Sequence, residues 1–124
     1  MTADEFRRIA SSFPEAIESS HLGHADFRVG GKIFATLGYP NDGFGVVMLT
    51  PHDQDLLVRD HPRIFAPVKG SWGASGSTTV TLRTASKRTV TIALEAAWRR
   101  RAPKRLKSGS ESDVIVPPRR AFKG

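Results

Sequence analysis

Apolar positions along this chain change their period several times, and each change marks an element. Phe6, Ile9, Ala10 and Phe13 recur at i, i+3, i+4 and i+7, the spacing that gathers side chains on one helical face. Thr2 and Glu5 precede them as a capping box, in which each side chain satisfies an amide that the first turn leaves without a partner. Pro14 ends the helix. Residues 15–22 read as a weak strand, and 27–29 and 33–37 as strands turning at Gly30-Gly31. The turn-formers Pro40-Asn41-Asp42-Gly43 lead into a further apolar run from Phe44 to Leu49, so an antiparallel meander is expected.

Thr50 as a cap, Pro51 at the first helical position and Asp53 in the first turn start a second helix. It is predicted to reach about Asp60, with Leu56 and Leu57 inward. The short segment 64–66 ends at Pro67, a glycine-rich loop spans 70–76, and Thr78 to Leu82 alternate as a strand. The last helix is predicted over 86–101, with Val90, Leu94, Ala97 and Trp98 as its buried stripe and Pro103 as its stop. Its β-branched stretch Thr89-Val90-Thr91-Ile92 would equally suit a strand. From Lys107 onward Ser, Gly, Pro and charge leave little to bury, so a single α+β domain over 1–106 with a flexible basic tail over 107–124 is expected.

Composition narrows the function classes. A chain of 124 residues fits one domain with a modest core. The absence of cysteine excludes disulfides, thiolate catalysis and cysteine-ligated zinc. No run approaches the roughly 20 apolar residues that span a bilayer, and the acidic start Met1-Thr2-Ala3-Asp4-Glu5 lacks a signal-peptide pattern. A cytoplasmic address without a membrane partner is the resulting expectation. The net charge of +7 is unevenly placed, since residues 1–98 hold ten basic and ten acidic side chains. The whole excess therefore falls in residues 99–124, and any electrostatic function runs through that end.

Several strings follow one another along the chain: Phe13-Pro14, Glu18-Ser19-Ser20-His21-Leu22-Gly23-His24, Phe27 to Ala35, Ser71-Trp72-Gly73 with Gly76, Thr79-Val80 with Leu82, Ala97-Trp98-Arg99-Arg100, and Ala102 to Leu106. In that order they resemble the MmcQ/YjbR family of small bacterial proteins. The resemblance covers about residues 6–106. It implies an α+β fold: an antiparallel sheet of five to six strands with three helices mainly on one face, frataxin-like or double-wing in outline. It also implies the DNA binding with which that family is often labelled. Two positions depart from the pattern: Ser77 stands where an aromatic is usual, and Ser86-Lys87-Arg88 where the helix start is usually acidic.

The strongest candidate site is the cluster Arg99, Arg100, Arg101, Lys104, Arg105 and Lys107, six basic residues in nine positions. Such residues neutralise phosphates and release counterions, giving affinity without sequence preference. The competing reading is a solvated helix end whose cations meet the negative end of the dipole. Neutralising about six phosphates would give a log–log salt slope of about −5. Arg119, Arg120 and Lys123 would extend the surface. Lys32, just past the Gly-Gly turn, is a candidate wing-tip phosphate contact, or an ordinary solvated lysine.

Trp72 is the one aromatic placed to meet a base or a small ligand, although a lid folded back onto the core would explain it too. Its loop lacks the P-loop pattern. His21, His24 and Asp26 lie close in sequence but supply no evident fourth metal ligand. No paired carboxylates suggest acid–base chemistry. The sequence is therefore read as a non-enzymatic nucleic-acid binder, with DNA first, needing no metal or cofactor and monomeric by default. The alternative is a small-ligand or protein-interaction module on the neutral body.

Overall fold

The computed structural model describes residues 1–107, apart from the side chain of His21. The tail residues beyond Lys107, including Arg119, Arg120 and Lys123, lie outside the described residues. The elements run α1 (Ala3–Ser11), β1 (Ile17–His21), β2 (His24–Val29), β3 (Lys32–Leu37), β4 (Phe44–Met48), α2 (Pro51–Asp60), β5 (Phe65–Pro67), α3 (Ser71–Ala74), β6 (Ser77–Thr81) and α4 (Lys87–Arg101). The strands form one six-stranded antiparallel sheet in the order β1-β2-β3-β4-β6-β5. The α+β class and the antiparallel sheet inferred from sequence are thus present.

Local chemistry explains the boundaries. The Glu5 amide donates to the Thr2 hydroxyl at 3.1 Å and the Thr2 amide to the Glu5 carboxylate at 2.9 Å, closing the capping box of α1. Gly30 and Gly31, with φ of 60° and 80°, make the two-residue β2–β3 turn whose twist matches that of the flanking strands. Past that turn a bulge changes the register from Phe27↔Ala35 to Arg28↔Ile33. Phe34 is the extra residue, which lets Phe34 and Ala35 both be fully buried despite being neighbours on one strand.

Phe6, Phe27, Phe34, Phe65, Leu49 and Leu94 form the centre of the core. α4 crosses β3 and β4 and packs on α1. Trp98 fixes that arrangement, because its ring stacks on Phe13 at 6.2 Å and its Nε1 donates to the Pro14 carbonyl at 3.0 Å. The β-branched start of α4 is helical: Ser86 accepts the Thr89 amide at 3.2 Å, Val90 is fully buried, and the Thr91 hydroxyl donates to the Lys87 carbonyl at 2.7 Å. Burial and capping here outweigh a weak intrinsic preference.

Two local expectations are corrected. The glycine-rich segment 70–76 is not all loop but contains the short helix α3. β2 starts at His24, because Leu22 and Gly23 form a tight turn with φ of 52° and 83°. No helix among the described residues is long and apolar enough to cross a membrane.

Candidate nucleic-acid interface

The pairing register places residues far apart in sequence at one end of the sheet. Ile17 faces Arg28, Val29 faces Lys32, Met48 faces Ser77 and Pro67 faces Thr78. The start of β1, the β2–β3 turn, the end of β4, the end of β5 and the start of β6 therefore share one rim. α4 delivers its C-terminus to the same rim, where Pro103 packs on Gly30 and Arg100 donates to the Leu49 carbonyl. Lys32, Trp72 and the basic segment 99–107 are thereby brought to one end of the molecule.

Within that end the six clustered cations differ in direction, exposure and partners. Successive residues on a helix are rotated by about 100°, so Arg99, Arg100 and Arg101 leave α4 in different directions. Arg99 is only 19% exposed and meets Glu95 at 3.6 Å. Arg100 is exposed apart from its bond to Leu49, and burial, followed by the charge of Arg101, pushes its pKa below the ordinary arginine value. Arg101 is half-buried, and its Nε has no partner among the described residues. Arg105 is held by Glu15 through two hydrogen bonds of 2.9 and 2.7 Å. That contact holds the Glu15 carboxyl below its ordinary range and pushes Arg105 upward. Lys104 is exposed and Lys107 half-buried.

Lys32 is exposed just after the Gly30-Gly31 turn, and Pro103, which precedes the exposed Lys104, packs on Gly30 of that turn. Lys69, which the sequence reading passed over, joins them. It is exposed after β5 on the same rim, and its only signal is a cation immediately before the glycine-rich segment. Lys32, Lys69 and Lys104 have no ion pair among the described residues. The body of the chain is neutral as a sum, yet it contributes cations to this rim. Two acids near it are paired: Glu15 with Arg105, and Glu18 with Arg7 at 3.0 Å.

Trp72 is 66% exposed, which overturns the lid reading. The reason lies in the segment that carries it. Gln54 Nε2 donates to the carbonyls of Gly73 and Ser77 at 2.9 and 3.0 Å, drawing the segment onto α2. A Cβ at Gly73 would stand 1.6 Å from the Val68 carbonyl oxygen, and one at Gly76 1.9 Å from that of Leu49. The backbone is pressed so tightly against its neighbours that the indole is directed outward. Gln54 carried no sequence signal of this role.

His24 and Asp26 do not converge. Asp26, 1% exposed, accepts from Arg28 Nε and Nη2 at 2.9 and 3.1 Å, while His24 packs beside Gly38. Arg28 is raised above its ordinary pKa by that hydrogen bond. A shallow cleft of about 430 Å³ between Met1, Asn41 to Phe44 and Thr81 to Arg83 lies at the opposite end of the sheet.

Fold and rim together define a small α+β domain that carries helices over an antiparallel sheet and places several exposed cations at one sheet end. The family model described as YjbR matches residues 11–100, and the chain belongs to that family. Among solved structures, the crystal structure of Deinococcus radiodurans protein DR2400, with a domain described as DUF419, is similar with a TM-score of 0.68 at 19% identity. The match covers 94% of this chain and 90% of that one, and at this identity it is a likeness of fold. None of the curated proteins matches the sequence.

Proposed function

We propose that the chain is a non-enzymatic nucleic-acid-binding protein, with DNA as the first ligand to test, acting in the cytoplasm without a cofactor. The observation that carries this reading is the convergence of Lys32, Lys69, Arg100 and Lys104 on one rim beside an exposed tryptophan. Exposed cations on a common surface neutralise phosphates and release counterions. The contacts they offer are to the backbone of a nucleic acid, so sequence specificity is low. Arg99 and Arg105 contribute less than their charge suggests, because each already faces a carboxylate.

Fluorescence anisotropy with labelled single-stranded and duplex DNA across a salt series tests the proposal. The full chain is compared with a Lys32→Gln, Lys69→Gln, Lys104→Gln variant, whose substitutions all lie on the surface. Micromolar or tighter binding that weakens steeply with salt and falls in the variant supports it. No binding by the full chain at low salt retires it. The competing reading, a small-ligand or protein-interaction module on the neutral body, predicts binding that the lysine substitutions leave unchanged.

A further inference from the structure

We propose that this rim takes a single strand rather than a duplex, one unpaired base stacking on Trp72 while the flanking phosphates lie along Arg100, Lys104 and Lys32. The inference rests on the nucleic-acid reading and names the form of the ligand.

Three observations lead to it. Trp72 presents most of its indole to solvent, although an unsupported apolar ring on a flexible loop would fold back onto apolar surface. Its support is rigid, because Gln54 ties down the carbonyls of Gly73 and Ser77 just after Trp72, and the backbone at Gly73 and Gly76 touches that of Val68 and Leu49 without room for a Cβ. The ring is thus held in place before a ligand arrives, and less ordering cost falls on binding. Finally, Arg100 donates to the same Leu49 carbonyl against which Gly76 is packed, so a guanidinium is tied to the platform through one backbone oxygen.

A stacked ring with a cation beside it recognises the face of a base and the phosphate next to it. A duplex hides its base faces and offers only groove edges and backbone, so it can engage the lysines but not the indole. Two strand spacings, about 10 Å, separate the β3 end that carries Lys32 from the β6 end that the Trp72 segment enters. A single strand is flexible enough to turn its bases toward the indole while its backbone crosses that distance.

The test uses the full chain and three labelled probes of equal phosphate count per strand: a single-stranded DNA about twelve nucleotides long, the same strand with abasic sites throughout, and the duplex. Trp72→Ala is expected to weaken single-strand binding roughly 5- to 150-fold, the range of one lost base stack. Trp72→Phe should restore most of the affinity. Binding to the abasic strand and the duplex should be weaker and indifferent to either substitution. Equal affinity for the intact and abasic strands, or an unchanged single-strand affinity in Trp72→Ala, overturns the proposal while leaving the electrostatic reading in place. Failure of all three probes to bind at low salt removes the nucleic-acid reading itself, and this inference with it. Because Trp72 is exposed, circular dichroism of Trp72→Ala should match that of the parent chain.

Discussion

Arg105 grips Glu15 with both terminal nitrogens of its guanidinium, at 2.9 and 2.7 Å, and so ties the segment after α4 to the loop before β1. The pair sits on the rim where the exposed lysines gather, and it sets an anionic group among them. Glu15→Gln removes that charge and with it the carboxylate that Arg105 grips. On the nucleic-acid reading this substitution raises affinity about 2- to 5-fold at moderate salt, and the log–log salt slope steepens by about 1. Anisotropy at several salt concentrations measures both quantities. An affinity lowered by Glu15→Gln would mean that the pair positions the rim rather than masks it.

The electrostatic contribution can be counted. Lys32, Lys69, Lys104 and Arg100 are the exposed rim cations without a carboxylate partner among the described residues. With about 0.7 counterions released per contact on a single strand, a chain ending at Lys107 should show a slope of about −3. The unsorted cluster of six would give about −5 on a duplex and roughly −4 on a single strand. A slope near −4 or steeper in the shortened chain would return Arg99 and Arg105 to the interface, and a slope near zero would remove the mechanism.

Acid should weaken the fold through two named carboxylates. Glu5 lies below its ordinary value of 4.5, first because it accepts the Thr2 amide and then through Lys87, and Glu15 lies below 4.5 because of Arg105. A depressed folded-state pKa means that the unfolded chain binds more protons between the depressed and ordinary values. Stability therefore rises with pH across that window. The contribution is complete above about 4.5 and is lost as pH falls through the folded-state values. The Glu5→Gln, Glu15→Gln variant should melt below the parent chain at neutral pH, and the two curves should converge in strong acid. Thermal melts from about pH 2 to pH 7 follow the convergence, and parallel curves throughout would reject this account.

Much of the fold was legible because short-range chemistry specifies it. The capping box at Thr2 and Glu5, the Gly30-Gly31 turn and the cap-proline start of α2 each act within a few residues, and each element begins where its signal stands. The Leu22-Gly23 turn was missed because leucine rarely adopts positive φ; the hairpin register imposes it. The site was half legible. Sequence marks cations, but whether a cation faces solvent or a carboxylate depends on what the fold brings beside it. Glu15 is distant from Arg105 in sequence, and Lys69 from Lys32, so neither relation leaves a local trace. The exposure of Trp72 depends on contacts from Gln54, Val68 and Leu49, which again only tertiary structure supplies.

The platform under Trp72 makes a demand of its own. At Gly76 the backbone has φ of 114° and a Cβ would lie 1.9 Å from the Leu49 carbonyl oxygen, so alanine there meets both backbone strain and a collision with main chain. Neither can be relieved by turning a side chain. Gly76→Ala should cost about 2–4 kcal/mol, the sum expected from an unfavourable φ and local overpacking. At Gly70 φ is also positive, 87°, but nothing lies within 4 Å of the added carbon, so Gly70→Ala should cost only about 1–2 kcal/mol. Urea unfolding of the two variants separates strain from collision. If they lose equal stability, the close approach to Leu49 is not what holds the segment, and the outward setting of the indole needs another cause.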